Sequence, residues 1–183
     1  MANSLPYPEP PLTGPGFVLR PYRVTDVGPY AEAVADPSTA RWLNSYANGA
    51  PEEDIRGLED ERLAGRILVL TIADAEDDAY LGMIALIARD TGTGELAYLV
   101  IPAARGRGLA PQAVQVLGEW AFAHLALARL QLRIDPANEG SHRVARRAGY
   151  QREGLLRSDF VLRGERRDSV MYSRLPNDPP LAS

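Results

Sequence analysis

The chain has 183 residues, 45% of them apolar and 24% charged, with a formal net charge of −4. This is the balance of one globular domain with room for a substantial core, and the acidic surplus makes nucleic acid a poor partner. There is no cysteine and there are two histidines, His124 and His142, which excludes disulfides, a thiol nucleophile and a cysteine- or histidine-built metal centre. No basic-then-apolar leader and no apolar run of membrane-spanning length is visible, so the expected location is cytoplasmic, with no membrane partner.

Residues 1–16 carry many prolines and glycines without a periodic apolar pattern and read as an extended, partly mobile arm. Phe17 to Pro21 is a short strand. Thr25 or Asp26 can cap a helix whose apolar positions are Val27, Tyr30, Ala31 and Val34, and Asp36-Pro37 ends it. A second helical piece at Thr39 to Leu43 leads to a turn at Ala47 to Ala50. Pro51 opens a third helix, with Glu52, Glu53 and Asp54 in its first turn, where acids suit the dipole, and Gly65 stops it.

Ile67–Ala73, Tyr80–Ala88 and Leu96–Ile101 read as three consecutive strands, antiparallel if each turn between them is a hairpin. The helix from Pro111 to about Leu127 is apolar on most sides, and Gly118 suits a close crossing over the sheet. Arg129 to Asp135 is a strand expected to lie parallel to Leu96–Ile101, because a long helix joins them. A helix from Asn138 to Ala148 stops at Gly149. Two long strands joined near Arg163-Gly164-Glu165 follow, and 176–183 is a loose tail. The order predicts a mixed α/β sheet.

The candidate chemistry is concentrated in Leu96 to Ala110. After the apolar strand, Arg105-Gly106-Arg107-Gly108-Leu109-Ala110 is a basic, glycine-containing turn that opens a helix. Amides at such a turn and helix start converge on one spot, where the helix dipole favours an anion. Gly106 and Gly108 let a ligand approach the main chain, while Arg105 and Arg107 can add charge-assisted hydrogen bonds to phosphate. A P-loop is excluded because the chain has no lysine, and a dinucleotide fingerprint lacks its third glycine.

Arg105-x-x-Gly108-x-Ala110 resembles the Gln/Arg-x-x-Gly-x-Gly/Ala signature of the GNAT family of N-acetyltransferases, whose loop holds the pyrophosphate of acetyl-CoA. A second segment, Asn138-x-x-Ser141-x-x-Val144-Ala145-x-x-x-Gly149-Tyr150, looks like the family's Asn-x-x-Ser/Ala…Gly-Phe/Tyr run. Arg166 to Ser173 resembles the last strand of the RimJ/RimL-type ribosomal-protein acetyltransferases. The resemblance implies a GNAT-like mixed, mostly antiparallel twisted sheet around a splayed parallel strand pair, with helices on both faces. The domain would span 17–175.

The implied activity is transfer of the acetyl group from acetyl-CoA to a primary amine, directly and without a metal. A protein or peptide N-terminus is the first-choice acceptor. A small amine (aminoglycoside, polyamine or amino acid) stays as the alternative, as does a non-catalytic acyl-CoA-binding sensor. A homodimer is left open. By resemblance, Leu99, Val100 and Ile101 bind the pantetheine arm through the main chain of a bulged, splayed strand. Arg105, Gly106, Arg107, Gly108, Leu109 and Ala110 form the pyrophosphate loop. Arg143, Arg146 and Arg147 make a basic helix flank that is either a solvated face or, at Arg147, a contact to a CoA phosphate.

Asn138 is either a pantetheine partner or the N-cap of its own helix. Ser141 either assists the departing thiolate or is an exposed helix serine. The tyrosine acid of many relatives is missing, since Ala145 stands at its position. Glu95 is the candidate base, acting through a water, or else a solvated strand-end acid; Asp159 and Asp168 are further acidic candidates. Trp42 and Tyr46 fall at the acceptor wall, where ordinary packing explains them as well. His142 reads as a surface histidine, His124 as packed in its helix, and Tyr150 as core.

Overall fold

The computed structural model describes residues 4–42, 51–90 and 92–179. Its elements are β1 (Leu12–Gly14), β2 (Phe17–Pro21), α1 (Val27–Ala35), α2 (Pro37–Ala40), α3 (Pro51–Leu63), β3 (Ile67–Asp74), β4 (Tyr80–Asp90), β5 (Thr93–Val100), α4 (Leu109–His124), β6 (Arg129–Ile134), α5 (Glu139–Arg147), β7 (Gln151–Leu162) and β8 (Glu165–Arg174). The strands form one eight-stranded sheet in the order β1-β2-β3-β4-β5-β6-β8-β7. Every neighbouring pair is antiparallel except β5 with β6. The expected mixed, mostly antiparallel sheet with one parallel pair is what forms.

Period-2 alternation sorts the strands' two faces. Leu70, Ile84 and Tyr98 lie side by side across β3, β4 and β5, as do Leu68, Leu86 and Leu96. This face joins Leu130, Leu132 and Ile134 of β6 with Ala113, Val114, Leu117 and Ala121 of α4 in one core. Gly118 does permit close contact: an added Cβ there would sit 3.3 Å from Leu130 and 3.5 Å from the Tyr150 hydroxyl.

Two boundaries differ from the sequence reading. Helix α4 begins at Leu109, because Gly108 turns the chain with φ of 80° and becomes the N-cap. Pro111 then falls inside the first turn, where its missing N–H still costs nothing. The helix ends at His124, with Ala126 at φ 50°, although the apolar pattern continues to Leu127. The N-terminal stretch is also more tied down than its composition suggests. Leu5 is buried, its N–H donates to the Arg62 carbonyl, Tyr7 donates to Glu59, and residues 12–14 add a strand to the sheet edge.

Asp26 does not cap α1 with its side chain. It is buried and accepts hydrogen bonds from Arg20, Thr71 and the Arg23 N–H, which fastens the start of α1 to β2 and β3. The turn expected at Ala47 to Ala50 lies outside the described residues.

Candidate active site

The β5–β6 ladder lasts for three residue pairs, Thr93/Arg129, Gly94/Leu130 and Glu95/Gln131. Beyond Glu95 the strands part. β5 continues along β4 alone, and β6 along β8 alone. Backbone groups alternate sides along a strand. The Gly92 carbonyl accepts from the Arg129 N–H, while the Ile101 N–H donates to Leu81 on the opposite side. The peptide groups of Leu96, Tyr98 and Val100 therefore face the fork, and those of Leu99 and Ile101 face β4. Of the three residues expected to offer main-chain bonds, Val100 alone presents its N–H to the gap; its carbonyl accepts from Arg105 Nε at 3.1 Å.

The expected bulge is absent here, since the β4–β5 register runs unbroken from Gly82/Val100 to Ala88/Gly94. Splaying alone frees the edge. Gly82 is needed at the mouth, because a Cβ there would lie 2.1 Å from the Leu99 carbonyl oxygen.

The cradle sits at the open end of β5. Gly106 and Gly108 both take left-handed backbone angles, with φ of 81° and 80°. An added Cβ at Gly106 would meet nothing within 4 Å. No side chain caps α4, so the amides of its first turn, including those of Leu109 and Ala110, are left for an anion. Arg107 is about half exposed beside the cradle and touches Asp74 at 3.3 Å. Arg105 is drawn elsewhere. Its guanidinium donates to Ser38 Oγ and Thr39 Oγ1, both at 2.6 Å, so it ties the end of β5 to α2.

Helix α5 lies beside β6. Asn138 is its N-cap, and its Oδ1 accepts the Ser141 N–H at 3.1 Å. Ser141 is half-buried, and Arg147 is exposed in the last turn. Ala145 is fully buried in the core. A residue that the sequence reading passed over lies near Ser141. Tyr98 leaves β5 on the core face, and its hydroxyl is buried without a hydrogen-bond partner among the described residues. Burial pushes this phenol up to about 12, and the proximity of Ser141 offsets part of that shift. The available signal was a residue with a polar tip in the middle of an otherwise apolar strand.

Glu95 is not a solvated strand end. It is 7% exposed and closes the fork on the other sheet face. Arg89 Nε, Arg133 Nε and Gln131 Nε2 reach its Oε2 at 2.9, 2.9 and 3.2 Å, and Arg89 also meets Oε1 at 2.9 Å. A carboxylate has about four lone-pair sites, so these donors leave little room for an amine proton. Arg133 extends on to Asp159, which also accepts from Ser169. Burial works against the Arg133 charge, and Glu95 and then Asp159 outweigh it, so its pKa is raised. Asp168 accepts the Ser158 N–H where the register of β7 against β8 shifts between Leu156 and Phe160.

Both histidines are placed opposite to expectation. His142 is buried, with ring nitrogens near the Tyr172 hydroxyl and the Pro136 carbonyl, because the strongly amphipathic α5 turns this face inward. His124 is exposed at the end of α4, stacked on Trp120 at 5.4 Å. Trp42 is half-buried, with the Arg41 guanidinium 4.2 Å from its ring centroid, and Tyr46 lies outside the described residues. Among the described residues no group of three or more His, Asp or Glu side chains is placed to hold a metal ion, and no helix is long and apolar enough to cross a membrane.

A forked parallel pair with a glycine cradle at its mouth suits an extended, amide-bearing ligand that ends in phosphate. The family model of the acetyltransferase (GNAT) domain matches residues 17–151. The chain belongs to that family, and it is an acetyl-CoA-dependent acetyltransferase. It is 27% identical over 167 residues to the uncharacterized N-acetyltransferase p20 of Bacillus licheniformis, covering 88% of this chain and 94% of the relative. A putative ribosomal-protein-serine acetyltransferase from Vibrio cholerae has the same fold, with a TM-score of 0.80 at 20% identity over 93% of this chain and 100% of the other. Mycobacterium smegmatis RimJ, solved with CoA-disulfide, superposes with a TM-score of 0.79 at 22% identity, over 94% of this chain and 88% of its own.

Proposed function

We propose that the acceptor is the α-amine of a protein or peptide N-terminus, and that transfer is direct within a ternary complex. The observation that carries the cofactor half is the main-chain edge that β6 leaves uncovered at Tyr98 and at the Val100 N–H, running towards the uncapped start of α4. The acceptor half is supported by likeness along nearly the whole chain to proteins described as RimJ and as a putative ribosomal-protein-serine acetyltransferase. With no cysteine in the chain, no thiol is available to carry the acetyl group as an enzyme intermediate.

In this reading acetyl-CoA supplies an activated acyl group. The Val100 N–H and its neighbours along the fork orient the ligand's amides, while Gly106, Gly108, Leu109 and Ala110 offer N–H groups to its phosphates. Arg107 and Arg147 add positive charge at the rim. Ser141, held on the first turn of α5 by the Asn138 cap, delivers a proton to the sulfur as it departs. Glu95 keeps the fork at a fixed width through Arg133 and Gln131, and an acceptor amine loses its proton to water.

Calorimetric titration with acetyl-CoA, followed by a thiol-release screen over peptides and small amines, tests both halves. Turnover with peptides whose α-amine is free, abolished by blocking that amine, is the expected result. Turnover confined to polyamines, aminoglycosides or amino acids overturns the acceptor assignment. Ser141→Ala should lower kcat by about 10²-fold, the low end of general-acid effects, with little change in acetyl-CoA affinity. Equal losses in both would make Ser141 a binding residue.

A further inference from the structure

We infer that Arg133 is an acceptor-binding residue, the free end of its guanidinium donating a hydrogen bond to the carbonyl oxygen next to the reacting amine. The acceptor class is then an α-amino acyl compound, which includes a peptide N-terminus and leaves out polyamines. The inference deepens the acceptor reading above and rests on it.

The second face of the sheet has the space for it. Thr71, Met83 and Leu99 are cross-strand neighbours on β3, β4 and β5, as are Val69, Ala85 and Ala97, and both rows lie on one face. Thr71 donates to Asp26 at the start of α1, which places that helix over this face. Val69, Thr71, Ala85 and Leu99 are buried, whereas Ala97, in the interior of the sheet, is exposed. A small side chain open to solvent on an interior strand marks a gap in the covering layer. The gap has walls. Arg105, just past β5, holds α2 through Ser38 and Thr39, and Arg163, between β7 and β8, donates to the Ala40 carbonyl at 2.8 Å. These ties close a ring from β5 through α2 and the β7–β8 hairpin to β6, with the fork inside it.

Arg133 stands where that opening begins. Glu95/Gln131 is the last β5–β6 pair, so Ala97 and Arg133, the next positions on this face, are the first to look at each other across the parted strands. The guanidinium is held from two sides. Nε donates to Glu95 Oε2 at 2.9 Å, and Nη1 reaches the two Asp159 oxygens at 3.4 and 3.3 Å. Nη2 has no hydrogen-bond partner among the described residues and is not among the buried unpaired atoms, and the side chain is 28% exposed. Two carboxylates therefore fix the orientation of a cation whose remaining nitrogen is left for a ligand.

In a peptide the α-amine and the first carbonyl are attached to the same Cα. A donor fixed on that carbonyl oxygen therefore fixes the nitrogen beside the fork, where the thioester is placed by the cofactor reading. A guanidinium keeps its proton at any working pH, so Arg133 orients the acceptor and takes no proton from it. Polyamines and simple alkylamines carry no oxygen to accept this bond. Their methylenes would strip water from Nη2 and put nothing in its place, which is how a donor in a site rejects an analogue that lacks the acceptor.

The test compares two acceptors on the full chain: a tripeptide amide with a free α-amine, and the same peptide with its first amide replaced by an alkene of the same shape. Rates are taken per deprotonated amine, because the two amines differ in basicity. The native chain should prefer the amide by about thirtyfold in kcat/KM, the scale of one charge-assisted hydrogen bond. Arg133→Lys keeps a cation between Glu95 and Asp159 but has no second nitrogen to offer. In that variant the preference should shrink to about threefold or less, chiefly through a higher KM for the amide, with acetyl-CoA affinity by calorimetry within about twofold. Equal use of the two acceptors by the native chain would overturn the inference, and that comparison stands even if the variant does not fold. A preference that survives in Arg133→Lys, or a loss shared equally by both acceptors, would overturn it too. If peptides are acetylated with no preference for the carbonyl, this inference falls alone. If polyamines are the only acceptors, the acceptor reading falls and takes this one with it.

Discussion

Gly108 meets two requirements that no other residue type meets together. Its φ of 80° is left-handed, which costs an L-residue about 1–2 kcal/mol, and its N-cap position faces the anion cradle. Gly108→Glu should therefore fold with a loss of about 1–2 kcal/mol, since an added Cβ meets only the flexible end of Gln112 at 3.6 Å. A carboxylate placed over the α4 amides competes with phosphate and repels it, so acetyl-CoA affinity should become unmeasurable by calorimetry. Unchanged affinity would remove the loop from the cofactor site. The glycine turn was legible because its backbone demands appear as residue type. Arg105 was not, because nothing local shows that Ser38 and Thr39, far away in the chain, wait for its guanidinium. The two histidines changed places for the same reason: burial belongs to the helix face that happens to dock, and α5 docks with His142 and Ala145 inward.

At the scale of elements, the strands and helices were largely legible from periodicity, and their order gave the parallel pair. The fork was not. Where a ladder stops depends on side chains that meet across strands, here the Glu95, Arg89, Arg133 and Gln131 cluster at the last pair. Below that cluster, Gly94 lets the strands close, with Leu86, Leu127 and Leu130 within about 3 Å of where its Cβ would stand. Above it, the β5 edge stays free. Glu95→Ala leaves Arg133 beside Asp159 with one counterion removed from a largely buried cluster. A destabilisation of about 2–4 kcal/mol is expected, readable as a lower urea midpoint at unchanged m-value. Because the carboxylate is assigned to fork geometry, Glu95→Gln should retain most of kcat and shift no limb of the pH–rate profile. Loss of the alkaline-rising limb in that variant would return Glu95 to the role of base.

Across the whole molecule, acid sensitivity follows from how the sheet is stitched together. Glu153 on the edge strand β7 reaches past β8 to Arg129 on β6, with oxygens 2.7 and 2.6 Å from its guanidinium, and it also accepts from Ser173 on β8. The hydrogen bonds from Arg129, then from Ser173, hold this carboxyl at about 2, against an ordinary 4.5. Asp26 is shifted the same way. Burial alone would raise it, but Arg20, the Arg23 N–H and Thr71 together hold it below 3.8. In both cases the folded carboxyl is the stronger acid, so the unfolded chain takes up protons first as pH falls. The stabilisation is complete above about pH 4.5 and drains away towards pH 2 for Glu153. Its size is modest, since the Glu153 side chain is 43% exposed and salt screens the pair. Urea midpoints of the native chain should therefore decline through that window more steeply than those of Glu153→Gln, with Asp26 contributing equally to both. The gap between the two curves should narrow with acid and shrink in high salt. Parallel curves would mean that the long hairpin is held by its ladder alone and that the Glu153–Arg129 tie adds nothing to it.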